Sequence, residues 1–215
     1  MTILEYLERR GDVVLKLMLE HLAVVILATV IATVLGSILA ALVYQNDRAT
    51  NILMTSTSTL YTIPSLSYFT LLFPLIGLGW TPAVLVTVLY ALLPIVRNAL
   101  TGLREVDEAV VRSARAMGMG HWQRLFRIDL PLAWPVILAG VRVATVLTAG
   151  IATIGAYVDG PGLGSLLFEA LKAVGSSRAL PQATVAIVAI VAIALALDTF
   201  LQQVVARFTT PKGLR

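Results

Sequence analysis

The chain has 215 residues, of which 58% are apolar and 13% charged, and a mean hydropathy of +0.89. Soluble domains hold roughly 45–50% apolar and about 25% charged residues, so a single soluble core and a disordered chain are both excluded, leaving an integral membrane protein. The net charge of +4 is scattered rather than gathered into a nucleic-acid stripe, and the lack of cysteine excludes disulfide and thiolate–zinc scaffolds.

A helix crosses about 30 Å of hydrocarbon with about 20 apolar residues. Thr2 to Leu22 carries Glu5, Glu8, Asp12 and Glu20 and has no continuous apolar run, which argues against a cleaved signal peptide. It reads as an amphipathic helix on the outer surface, with Lys16 and Glu20 at i,i+4, or as a plain extension of the first span. Leu22 to Tyr44 is uncharged and gives a span over 22–44. Ala49 to Val96 is also uncharged, too long for one helix and suited to two, at 51–76 and 82–100. The divider is Gly77-Leu-Gly-Trp-Thr-Pro82: a glycine turn, an interfacial tryptophan, then a proline suited to a helix start. Two more spans follow, at 133–157 and 182–206. The expectation is an all-α, polytopic protein with five transmembrane helices in one domain over 1–215.

An odd number of spans puts the termini on opposite sides. Arg97 at the end of span three, with Arg104, Arg112, Arg115, Arg124 and Arg127 between spans three and four, leads the positive-inside rule to place that segment in the cytoplasm. Arg48, Arg207, Lys212 and Arg215 fall on the same side. The N-terminus is then outside and the C-terminus inside.

The segment 104–131 is the one long polar stretch. Asp107 suits the cap of a helix through Glu108, Arg112 and Arg115, with Glu108 and Arg112 at i,i+4. Gly118 and Gly120 suit its end. A second short helix is expected over His121 to Ile128, with Trp122, Leu125 and Phe126 on one face and Gln123, Arg124 and Arg127 on the other. Leu130-Pro131 would stop it and restart the chain. Two short helices with one apolar face make a docking surface for another protein, or a loop folded back on the membrane.

Arg142 and Asp198 are charges inside spans, and such residues are functional candidates. Both lie about 12–14 Å from the same side at 1.5 Å per residue. They are expected to pair between spans four and five; the alternative is that each faces a water-filled vestibule or snorkels separately. Thr62-Ile63-Pro64-Ser65 interrupts span two, because Pro64 removes a helical hydrogen bond. That break reads as a pathway or gate, or as a kink tolerated for packing. Tyr61, Tyr68 and Phe69 flank it and could hold a quaternary ammonium by cation–π attraction, or simply pack. Gly160-Pro-Gly-Leu-Gly, with Gly160, Gly162 and Gly164, reads as an outer gate or as turn chemistry, followed by a short helix over Ser165 to Val174.

The sequence offers no catalytic set. There is no G-x4-G-K-[S/T] for nucleotide phosphates and no H-E-x-x-H. His21 and His121 fall on opposite sides of the membrane, so no metal site is expected.

Gly118, nine intervening residues, then Ile128-Asp129-Leu130-Pro131 resembles the G-x9-I-x-L-P half of the "EAA" signature of bacterial ABC importer permeases. At the triplet stand Arg112, Ser113 and Ala114, so only the final alanine matches; Glu108, one turn earlier, is the candidate substitute for the acid. Thr62-Ile-Pro-Ser-Leu-Ser, Ala91-Leu-Leu-Pro-Ile-Val-Arg-Asn, Arg115-Ala-Met-Gly-Met-Gly and Gly160-Pro-Gly-Leu-Gly resemble the osmoprotectant branch, permeases for glycine betaine, carnitine and choline. The resemblance implies the type I importer permease fold, with 104–131 as the coupling segment seated on an ATP-binding subunit. It also implies a second permease subunit, two cytoplasmic ATPases carrying ATP and Mg, and a separate extracytoplasmic substrate-binding protein. This chain would bind no cofactor itself. The bacterial inner membrane is the expected location. A methionine-type importer permease and a non-transporting membrane anchor are the other readings.

Overall fold

In the computed structural model, which describes residues 1–209, every regular element is a helix. Lys212 and Arg215, expected inside, lie outside the described residues. The elements are α1 (Ile3–Val43), α2 (Asp47–Thr62), α3 (Ser65–Ile76), α4 (Trp80–Arg104), α5 (Glu108–Ala116), α6 (His121–Arg124), α7 (Leu130–Ile154), α8 (Gly164–Lys172) and α9 (Ala179–Thr209). A π turn, Leu125–Asp129, joins α6 to α7, and a 3-10 turn, Gly155–Val158, follows α7. Four helical stretches are long and apolar enough to cross a membrane, and the bent pair α2–α3 makes a fifth if it is one span.

Where the chain turns, its own residues set the stops. Thr2 caps α1 in a capping box with Glu5. Asn46 caps α2 through Ala49 N–H at 3.2 Å. The segment over Thr2 to Leu22 is split rather than one helix: from Gly11 it is an extension of the first span, and the stretch before Arg10 is a short helix joined to it across a kink at non-helical Arg10. The reason is packing. Tyr6 and Val14 are buried against Leu163, Leu166 and Val185, so this segment is tied to the bundle rather than laid on a surface.

Span two is broken more sharply than a proline kink. The axes of α2 and α3 differ by 91° across Ile63 and Pro64. Pro64 has no N–H for the Leu60 carbonyl. The Tyr68 hydroxyl donates to that carbonyl instead, at 2.8 Å, and the Tyr90 hydroxyl donates to the Ile63 carbonyl. Two tyrosines thus satisfy backbone that would otherwise be orphaned in an apolar surrounding.

The main core joins α1, α4 and α7. Ala28, Ala32 and Ala40 meet Ala91, Ile95, Val96 and Ala99, with Ile137 and Ala144 on the third side. Small residues let these backbones approach closely, as membrane helices require when lipid offers no hydrophobic penalty to escape. Packed on this unit are α9 and the α2–α3 pair.

Candidate functional site

The loop end of the bundle gathers the chemistry. Asp107 caps α5 by accepting from Ala109 N–H at 2.7 Å, and Glu108 pairs with Arg112 at 3.2 Å on an exposed face. Ala114 is fully buried and anchors α5. The helix ends where Gly118 takes φ +80°, a left-handed turn that glycine adopts without strain. Glu108 lies one turn before Arg112 and is engaged with it.

The second half of the loop differs from expectation. Leu130-Pro131 neither stops a helix nor restarts the chain: α6, the π turn and α7 form one continuous helical run from His121. Pro131 lies in the first turn of α7, where its missing N–H costs little. The i→i+5 bond from Leu130 N–H to the Leu125 carbonyl widens the helix at that point. The expected faces are rotated as well. Trp122 and Phe126 are 56% and 65% exposed and stack at 6.3 Å, whereas Leu125 is buried together with Arg124, which had been assigned to the polar face. Ile128 and Leu130 are half-buried.

Arg124 is buried because its partners are. Its Nε donates to Asp129 Oδ2 at 3.0 Å, with side-chain exposures of 5% and 2%. The Tyr44 hydroxyl donates to the same Asp129 oxygen at 2.7 Å and accepts from the Arg124 guanidinium at 3.1 Å. The Tyr44 backbone carbonyl accepts from Arg104 Nε at 2.9 Å, and Arg104 also reaches Asp47 and Thr50 at the start of α2. The Tyr44 ring stacks on His121 at 6.3 Å. Nothing in the sequence pattern pointed to this network; the i,i+5 spacing of Arg124 and Asp129 is not a helical pair except across a π turn.

Arg142 and Asp198 lie together between α7 and α9, in a two-pronged pair at 2.9 and 3.0 Å, each about a third exposed. They open on a groove walled by Ala139, Val143, Val146 and Leu147.

Of the residues at the break, Pro64 is exposed and Ser65 half-buried. Tyr68 and Phe69 are buried in a cluster with Tyr90 and Val158, and Tyr61 packs on Tyr90 at 5.4 Å. In this conformation the Tyr68 and Phe69 rings are closed to a solute, because both are buried. At the opposite end of the bundle, Gly160, Gly162 and Gly164 are buried. A Cβ on Gly164 would lie 2.0 Å from the Thr153 carbonyl oxygen, and one on Gly162 would lie 2.9 Å from His21, whose Nε2 bonds the Ala149 carbonyl. These glycines allow close backbone contact between the loop, α1 and α7.

Among the described residues no group of three or more His, Cys, Asp or Glu could hold a metal ion.

Comparison with known proteins gives three findings. Residues 32–210 match the family model "Binding-protein-dependent transport system inner membrane component". The chain is 31% identical to the carnitine transport permease protein OpuCB of Listeria monocytogenes over 79% of this chain and 78% of that protein. It is 34% identical to the osmoprotectant import permease protein OsmW of Salmonella typhimurium over the full length of both. A chain of the MetNI methionine ABC transporter in an inward facing conformation superposes with a TM-score of 0.83, covering 94% of this chain and 99% of that one, at 18% identity.

Proposed function

Because this chain belongs to the family of inner-membrane components of binding-protein-dependent transport systems, we propose that it is the permease subunit of an ATP-driven importer for quaternary-amine compatible solutes. Glycine betaine, carnitine and choline are the solute class. The observation that carries the class is the likeness to carnitine and osmoprotectant permeases across most or all of the chain. The likeness to the methionine transporter, at 18% identity, speaks to the fold alone.

The working unit has two permease chains, two ATP-binding subunits and a separate binding protein. ATP and Mg bind the ATP-binding subunits; this chain catalyses nothing. The 104–131 end faces the cytoplasm, with the N-terminus outside. The exposed pair Trp122 and Phe126, set just beyond the Gly118 turn, is the surface that seats on the ATP-binding subunit. Closure of those subunits moves this surface, and the population shifts from an outward to an inward opening. Arg142 and Asp198 tie α7 to α9 so that the two helices move together.

The test is co-purification. The chain is expressed with its neighbouring genes, and Trp122→Asp/Phe126→Asp is compared with wild type. An ATPase that accompanies wild type and is lost from the variant is expected. Binding of radiolabelled glycine betaine, carnitine and choline by the purified binding protein then names the solute. A stable chain that never captures an ATPase would mean a membrane anchor.

A further inference from the structure

We infer that Tyr44, Arg124 and Asp129 form a positioning clasp that couples the Trp122–Phe126 surface to the ends of α1, α2 and α4. The inference rests on the coupling role proposed above and adds the residues that carry motion from that surface into the spans.

The geometry points to a lock with a single arrangement. Three groups from two distant segments satisfy one another: Tyr44 donates to Asp129 Oδ2, Arg124 donates to the same oxygen, and Arg124 also donates to Tyr44. All three residues are buried, Tyr44 to 7%, Arg124 to 4% and Asp129 to 1% exposure. A buried charge pair tolerates little misalignment, since each lost contact leaves an unsolvated charge. Trp122 and Phe126 lie two residues either side of Arg124 on the same helical run, so the surface cannot tilt without moving the guanidinium.

From Tyr44 the connection continues in two directions. Its backbone ends α1, donating to the Ala40 carbonyl at 2.9 Å. Its carbonyl accepts from Arg104 at the end of α4, and Arg104 holds Asp47 and Thr50 of α2. One residue therefore joins the surface to three elements. Asp129 Oδ1 is buried and without a hydrogen-bond partner. The π turn at Leu125–Asp129 lies at the same place and sets the register that brings Arg124 and Asp129 together.

The absence of cysteine gives a clean experiment. A single thiol at exposed Ser56 of α2 is labelled with a maleimide in the complex with its ATP-binding subunits, with and without ADP–vanadate trapped after hydrolysis. The wild-type labelling rates should differ several-fold between the two conditions. In Tyr44→Phe, which keeps the ring on His121 and removes only the hydroxyl, the ratio should fall to about one while ATP hydrolysis continues. Asp129→Asn should behave likewise where it assembles; where it does not, Tyr44→Phe alone decides. Wild-type ratios in both variants would overturn the clasp. So would a parallel loss of labelling response, ATP hydrolysis and assembly in Tyr44→Phe, which would make the hydroxyl merely structural. An ATPase absent from the wild-type complex would instead overturn the docking role of Trp122 and Phe126.

Discussion

Arg124 and Asp129 are five residues apart and 5% and 2% exposed; Arg142 and Asp198 are 56 residues apart and 31% and 28% exposed. The same two side-chain types make both pairs, yet the surroundings differ. The first pair is buried at the edge of a polar cavity shared with Gln45, Arg104 and Glu108; it shares one carboxylate oxygen with Tyr44 and leaves the other oxygen without a protein partner. The second is a symmetrical fork in an open groove. In a buried site the charges have given up most of their hydration, so removing one partner strands the other. In an open site water or a neighbouring chain can take over, and the pair is worth less. The buried pair is thus suited to fixing one geometry, and the more exposed pair to holding two helices while they move.

The largest expected effect is that of Arg124→Ala. It leaves Asp129 buried without a cation and should destabilise the protein by about 3–5 kcal/mol. Thermal unfolding of the detergent-solubilised complex measures it. A loss no greater than that of Arg142→Ala would erase the contrast between the two sites.

Arg142→Ala should cost about 1 kcal/mol, between the average of about 0.6 and the maximum of about 1.7 found for polar contacts between membrane helices. The pair can be sharpened by exchange. Arg142→Asp with Asp198→Arg should recover most of the stability that either single change removes, because a fork is symmetrical. Arg124→Asp with Asp129→Arg should recover none, because the Tyr44 hydroxyl donates to the aspartate and accepts from the arginine from a fixed position. Recovery at both sites would show that burial adds no geometric demand.

Tyr44→Phe removes hydrogen bonds but leaves the ion pair, so about 1 kcal/mol is expected by the same unfolding measurement. Smallest is the salt response. Raising ionic strength from about 0.1 to 1 M shortens the screening length from about 10 to 3 Å. The stability difference between wild type and Arg142→Ala should shrink, and that between wild type and Arg124→Ala should stay constant. Equal salt sensitivity would place water at both pairs.

Much of the 104–131 segment was legible in the sequence. Asp107, Gly118 and the Glu108–Arg112 spacing act through their immediate neighbours, so a linear reading finds them. Arg142 and Asp198 were legible for another reason: a charge in an uncharged run has few permissible partners. Arg124 was not. Counted along an ideal helix it falls on the polar face, and only the π turn, with Tyr44 from 80 residues earlier, turns it inward. Tyr68 was read as a ring flanking a break, although its hydroxyl serves the backbone that Pro64 leaves short of a donor.

What the sequence determined was which segments are apolar enough to lie in a membrane, and where they are interrupted. Those follow from composition and from single residues such as Pro64, Gly77 and Gly118, each acting over a few bonds. The tertiary structure alone decided how far the chain turns at an interruption and which face of each helix is covered. A helix that is apolar on every side carries no stripe to show its facing. The 91° bend at Pro64, the docking of the N-terminal part of α1 on the bundle and the burial of Arg124 were settled by contacts between residues far apart in the chain.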